Sequence, residues 1–192
     1  MDGHLTTIQL VGIGNVGSQI AFGILCKFHD VRILLTDKNM ALLEAQYFDM
    51  ASANMMTGGN VLEMTDSIAH ADVYIVSAGW AQKNGKSRDS LYADNLPICR
   101  DVFERIADIN PSAWVLVVTN PSHRIAQEGL RHLQKVIPTG KMLDATRAMM
   151  ALPKGTHESP WSRDIFQFIK ATKGYTPFGP AGEVLKMLEE II

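Results

Sequence analysis

The sequence predicts an α/β fold, a doubly wound parallel sheet followed by a shorter α-rich C-terminal region, and three observations predict it. Short apolar runs alternate with runs of helical period through the first 141 residues or so. A glycine-rich turn, Gly12-Ile13-Gly14-Asn15-Val16-Gly17, joins the first run to the second. The chain has 192 residues, 46% hydrophobic and 20% charged, which suits one domain, or one and a small part of another, with a real core.

The elements follow in order. Thr7–Val11 is apolar and short, hence a strand, and Val16, Ile20, Ala21, Ile24 and Leu25 then recur on one helical face. Val31–Thr36 is a second strand, Met40–Ser52 a helix, Asn60–Met64 and Asp72–Ser77 two more strands, and Trp114–Val118 another. Each run is too short for a helix and too continuous for a half-exposed strand, so all are expected to be covered on both faces. A polar loop, Gly79–Ser87, leads into a long helix through Leu91, Asn95, Ile98, Val102, Phe103 and Ile106. After Asn120-Pro121 come one more helix, a brief Val136-Ile137 strand and a helix over Leu143–Leu152, ended by Pro153-Lys154-Gly155. The remainder, Thr156–Ile192, holds a polar connection and two short helices, Ser162–Ala171 and Gly182–Ile191. The expected division is therefore 1–141 and 142–192.

Composition narrows the function. Eighteen Lys and Arg against twenty Asp and Glu leave a charge of −2, without the basic excess that neutralises a phosphate backbone, so nucleic acid is not an expected partner. Ile8–Leu25 reaches membrane-spanning length but carries Gln9, Asn15, Ser18, Gln19 and four glycines, and is read as strand, turn and helix. Cys26 and Cys99 are too few for a disulfide framework or a four-ligand zinc site. Met1–Thr7 lacks the basic-then-apolar pattern of a signal peptide, so a cytoplasmic protein without a metal is expected.

The turn at Gly12–Gly17 matches G-x-G-x-x-G, the dinucleotide fingerprint of the Rossmann fold. Its glycines allow the tight turn, close backbone approach to a pyrophosphate, and helix–strand packing. The match follows a strand and opens a helix whose amides can bind phosphate. Asp37 ends the second strand, 23 residues after Gly14. An acid there accepts from the ribose hydroxyls and repels a 2′-phosphate, which predicts NAD over NADP; the plainer alternative is that Asp37 caps the next helix.

From these residues the chain resembles the L-lactate and malate dehydrogenase family. The resemblance rests on Val11–Gly17, Leu35-Thr36-Asp37, Ser77-Ala78-Gly79, the loop Gln82–Ser87 running into Arg88-Asp89-Ser90-Leu91, Val118-Thr119-Asn120-Pro121, Leu143-Asp144-Ala145-Thr146-Arg147 and Lys173-Gly174-Tyr175-Thr176. It implies that Gly12, Gly14, Asn15, Val16, Gly17, Asp37, Ala78, Gly79, Asn95, Val118 and Asn120 meet NAD. It also implies that Gln82, Arg88, Asn120 and Arg147 meet a small 2-keto or 2-hydroxy acid. Arg147 corresponds to the arginine that grips the substrate carboxylate through two parallel bonds, and Arg88 to the one that polarises the carbonyl when its loop closes. Gln82 stands where the family's malate enzymes carry arginine and its lactate enzymes glutamine. A neutral amide disfavours a dianion, so a pyruvate-like substrate is preferred; the alternative is an ordinary exposed loop amide. Asp144 and Arg147 also fit a surface ion pair one helical turn apart.

The sequence departs from the family in two respects. Asp144 corresponds to the carboxylate that orients a catalytic histidine, which the family supplies from a downstream Gly-Glu-His-Gly loop that this sequence lacks. The nearest candidate is His157, 13 residues after Asp144, whose alternative is a solvated loop histidine. The usual strands of the substrate domain are also missing. Val184, Leu185, Leu188 and Ile191 form an apolar stripe that needs cover, either from the cofactor domain or from a second subunit. A homo-oligomer, dimer or tetramer, is expected.

Overall fold

The computed structural model describes residues 5–57, 59–81, 87–151, 169, 172–173 and 175–192, with the backbone alone at 57 and 147–151. Six strands pair in parallel: β1 (Thr6–Val11), β2 (Val31–Thr36), β3 (Val61–Met64), β4 (Val73–Val76), β5 (Trp114–Val117) and β6 (Lys135–Pro138). Their order is β3-β2-β1-β4-β5-β6. The helices are α1 (Asn15–Lys27), α2 (Met40–Thr57), α3 (Arg88–Ile109), α4 (Ser122–Gly129), α5 (Lys141–Ala151) and α6 (Phe178–Ile191). The doubly wound parallel sheet expected from the alternating runs is therefore present. Strand order reverses at β1, whose last residue, Val11, lies between Thr36 of β2 and Val76 of β4. In such sheets a ligand crevice opens at this switch point, beyond the carboxyl ends of the strands.

Alternation along each strand sends side chains to two cores. Ile8, Leu10, Ile33, Leu35 and Ile75 pack with Ile20 and Ile24 of α1 and Leu43 of α2. Val11, Tyr74, Val76, Val115 and Val117 pack with Phe103 and Ile106 of α3 and Ile125 of α4. One expectation fails. β3 was expected to be covered on both faces, yet Val61 and Met64 are 39% and 41% exposed, because this strand forms the edge of the sheet. α2 runs to Thr57, beyond the expected Ser52, since Ala53, Asn54, Met55 and Met56 contain no helix breaker before Gly58. The helix expected over Ser162–Ala171 lies, but for Ile169, outside the described residues.

The C-terminal helix α6 settles where the apolar stripe goes. Val184 and Leu188 are wholly buried in the core that contains Ile20 and Ile24, and Leu185 and Ile191 pack at its margin. Gly23 makes the approach possible: a Cβ there would stand 2.7 Å from Leu185 Cδ1. Lys27 and Glu189 close the end of this contact at 2.6 Å. The cofactor domain itself, rather than a second subunit, covers the stripe.

Two carboxylates fix the surrounding helices. Glu183 of α6 is buried, and its Oε2 and Oε1 accept from the backbone N–H groups of Gly140 and Met142 at 2.7 and 2.8 Å. These are the unsatisfied donors at the start of α5, so α6 supplies the cap that α5 lacks locally. Glu128 of α4, also buried, accepts from Arg100 of α3 at 2.7 Å and pairs with Arg131 at 3.0 Å. Burial pushes the Glu128 carboxyl up, but the Arg100 hydrogen bond and the charges of Arg100, Arg131 and His132 outweigh it and hold the group below the usual glutamate range.

Glu183→Ala is expected to cost about 1–3 kcal/mol in urea denaturation, because two backbone donors at the start of α5 lose a buried acceptor, and Glu183→Gln, which keeps one acceptor oxygen, less. The stability due to Glu128 is present above the ordinary glutamate pKa of about 4.3 and is lost as pH falls through the lower folded value. Thermal melts between about pH 5 and pH 3 should therefore show the parent losing more stability than Glu128→Gln.

Candidate functional site

The site begins at the β1–α1 turn. Gly12 has φ +95°, a left-handed backbone that glycine adopts without strain. A Cβ on Gly12 would stand 2.5 Å from the Ala78 nitrogen, and one on Gly17 only 2.0 Å from the Gly12 oxygen. These two glycines let β1, α1 and the Ser77-Ala78 segment touch. Ser77 Oγ donates to the Gly12 oxygen at 2.6 Å, and Gly12 N–H donates to the Thr36 oxygen at 2.8 Å, so the turn is tied to both neighbouring strands.

Gly14 differs from the other two. Nothing lies within 4 Å of where its Cβ would be, and α1 starts beyond it with no side-chain cap and no acid in its first turn. Open space at a bare glycine beside free helix N–H groups is the cradle that a pyrophosphate fills. Asp37, at the end of β2, accepts from Ile13 N–H at 2.8 Å through one oxygen and from Asn39 N–H at 2.9 Å through the other. It thus braces the phosphate turn, and each oxygen keeps a lone pair that can accept from a ribose hydroxyl. The cap of α2 comes instead from Asn39, whose Oδ1 accepts from Leu42 N–H at 3.2 Å. The residues fit a dinucleotide.

The β4 and β5 ends form the next wall. Thr119 Oγ1 donates at 2.8 Å to the Ala78 oxygen, joining the two segments that contain Ala78, Gly79, Val118 and Asn120. Asn95 is wholly buried in α3. Its Oδ1 accepts from Trp80 N–H at 2.6 Å, and its Nδ2 donates to the Asn120 oxygen at 2.8 Å and the Trp80 oxygen at 3.2 Å. Expected from the resemblance to meet cofactor, Asn95 stands behind the wall and sets the positions of Trp80 and Asn120. Cys99 lies beside it; burial pushes its thiol up to about 11 against the smaller opposing effect of the Thr119 hydroxyl, which leaves it a packing group rather than a nucleophile.

Beyond this wall a cavity of about 620 Å³ opens among the starts of α3, α4, α5 and α6. Arg88, Val118, Asn120 and Asp144 all line it, so four residues separated by up to 56 positions in sequence share one space. Arg88 and Asp144 are exposed to it without a side-chain partner among the described residues. Arg147 lies one turn after Asp144 on α5, though its side chain, like the whole of Gln82 and His157, lies outside the described residues. Among the described residues no group of three or more His, Cys, Asp or Glu could hold a metal. No helix among them is long and apolar enough to cross a membrane.

Sequence reasoning missed several of the positioning groups. Ser77 and Thr119 sit inside the quoted motifs and could have been suspected there as hydroxyls in otherwise apolar strand ends. Glu183 had no signal, since its partners, Gly140 and Met142, are backbone donors more than forty residues away.

Comparison with known proteins agrees with this geometry. Residues 6–140 match the family described as lactate/malate dehydrogenase, NAD binding domain. The malate dehydrogenase of Ehrlichia chaffeensis is 34% identical over 149 residues, 73% of this chain and 47% of that protein. The L-lactate dehydrogenase of Mycoplasmopsis pulmonis is 30% identical over 157 residues, 78% of this chain and 50% of that protein. The chain thus spans about half the length of the curated relatives it matches. In fold, the malate dehydrogenase of Archaeoglobus fulgidus, solved in complex with NADH, superposes with a TM-score of 0.82 at 24% identity, over 96% of this chain and 76% of that one. With its dinucleotide turn, its braced Asp37 and this match, the chain belongs to the lactate/malate dehydrogenase family, and its first domain is an NAD-binding domain.

Proposed function

We propose that this chain is an NAD-dependent oxidoreductase of the lactate/malate dehydrogenase type, acting between NADH and a small 2-keto acid. The observation that supports this most is that Arg88, Asn120 and Asp144 surround one cavity whose wall, Val118 and Asn120, is also the expected nicotinamide wall. Bound NADH supplies the hydride. The chain's own residues do the rest. Arg147 grips the substrate carboxylate, which a planar guanidinium binds in two parallel bonds. Arg88 faces the carbonyl oxygen, where negative charge develops, and stabilises it most once water is excluded. Asn120 fixes the substrate's orientation. Asp144 offsets the positive charge of an imidazolium, the acid that protonates the product oxygen.

A pyruvate-like substrate is favoured over oxaloacetate by Gln82, because a neutral amide leaves a second carboxylate unpaired. The chain works as a homo-oligomer, dimer or tetramer, in the cytoplasm; two free cysteines agree with a reducing compartment. A second reading has a specific observation behind it. The sequence contains no Gly-Glu-His-Gly loop, and a relative that keeps the cofactor site without a proton donor would bind NADH and not turn over.

NADH oxidation with pyruvate and with oxaloacetate decides between the two: a rate above buffer is expected, and saturable NADH binding without any rate would favour the second. Gln82→Arg is expected to raise the oxaloacetate-to-pyruvate ratio of kcat/KM about tenfold or more, as one newly paired charge allows; an unchanged ratio refutes the role given to Gln82. Asp37→Ala is expected to weaken NADH binding about tenfold or more in fluorescence titration, from lost ribose acceptors and a loosened turn.

A further inference from the structure

The crevice at the switch point is crossed by a contact that none of the assigned roles uses. β2 and β4 lie on either side of β1, so their carboxyl ends stand about 10 Å apart, two strand spacings. Lys38 follows the last residue of β2, Thr36, and Trp80 follows the last residue of β4, Val76, each after a short connection. Both side chains are exposed, yet the Lys38 ammonium stands 5.4 Å from the centre of the Trp80 ring. A pair drawn from the two flanking strands meets across the carboxyl end of β1, at the mouth of the crevice. Trp80 is 57% exposed, but its backbone is held at both polar groups: the wholly buried Asn95 accepts from its N–H at 2.6 Å and donates to its oxygen at 3.2 Å. The preceding Gly79 is pressed against Thr119 and Asn95, where a Cβ would stand 2.7 and 2.9 Å from their side chains. A large flat ring is thus held in water at a fixed place beside the dinucleotide turn, open to a flat ligand on its face.

We propose that Trp80 is the stacking surface for the adenine of the dinucleotide, and that Lys38 covers the indole face until the adenine displaces it. The inference rests on the assignment of the crevice to NAD. With the pyrophosphate at Gly14 and the adenosine ribose on Asp37, the adenine hangs one bond from that ribose. It therefore lies beside Lys38, the next residue, and beside the indole that Lys38 touches. Magnitudes decide the exchange. An ammonium over an exposed ring is worth about two- to fivefold in an equilibrium constant, whereas a base stacked on an aromatic side chain is worth about fivefold to a hundredfold. The adenine wins, and the ammonium returns to water at little cost because it was exposed from the start. Stacking uses the face of the base and not its edge, so the position selects a flat ring while Asp37 selects the ribose beside it.

The experiment is titration of ADP-ribose, the dinucleotide without its nicotinamide, followed by calorimetry and by indole fluorescence at about 0.2 M salt, which screens longer-range charge. The parent is expected to bind with quenching of its indole emission. Trp80→Phe should bind within about threefold of the parent, because a phenyl face still stacks, and the quench should vanish. Trp80→Ala should bind about fivefold or more weakly. Lys38→Ser, which leaves the indole face open, should bind about two- to fivefold more tightly. The side chains of both residues are exposed, so each variant should melt like the parent, which shows that it is folded. A Trp80→Ala protein with the parent's affinity, a quench that survives in Trp80→Phe, or weaker binding by Lys38→Ser would each overturn the inference and leave the NAD assignment standing. Failure of the parent to bind ADP-ribose at all would overturn both.

Discussion

The rest of the molecule depends on one close contact, the meeting of the β1–α1 turn with the end of β4. Gly17 lies so near the Gly12 oxygen, and Gly12 so near Ala78, that any side chain larger than hydrogen would push α1 away from the sheet. The contact is closed by the Ser77 hydroxyl on the Gly12 carbonyl. It sits at the point where strand order reverses, so it sets the direction of α1, the separation of β1 from β4 at their carboxyl ends, and the crevice itself. The phosphate cradle at Gly14 is a by-product of the same geometry, since the helix must start where the turn releases it.

Position then passes outward along α1. Its outer face receives α6 at Gly23, α6 presents Glu183 to the start of α5, and α5 holds Asp144 to the cavity. A buried carboxylate bonded to two backbone N–H groups is a stiff link, because neither donor can find another partner without water reaching it. The dinucleotide turn and the cavity are thereby joined through packed helices on one side of the sheet. On the other side, Asn95 joins the Trp80 and Asn120 segments, and Glu128 holds α4 against α3. The same arrangement that covers the apolar stripe of α6 also places Asp144 of α5 at the cavity.

Much of the fold was legible from pattern. The buried strands β1, β2, β4 and β5 read as continuous apolar runs because both of their faces are covered, and the glycine fingerprint named its own ligand because only a bare backbone permits the approach. β3 misled for the same reason: an apolar edge strand reads like a central one, and nothing local reports that its far side lacks a neighbour. Asn95 and Glu183 were opaque for a different reason. A polar side chain in a helix carries no local sign of which distant backbone groups it will meet.

The sequence by itself determined the alternation of strands and helices, the dinucleotide turn, the acid at the end of β2 and the order of the family motifs. These follow from periodicity, glycine's conformational freedom and local chemistry. Only the tertiary structure decided that α6 returns to α1, that Glu183 caps α5, and that Arg88, Asn120, His123 and Asp144 share one cavity. Those pairings join residues dozens of positions apart, and they arise when apolar faces are removed from water together, a collective requirement that no short stretch of chain records.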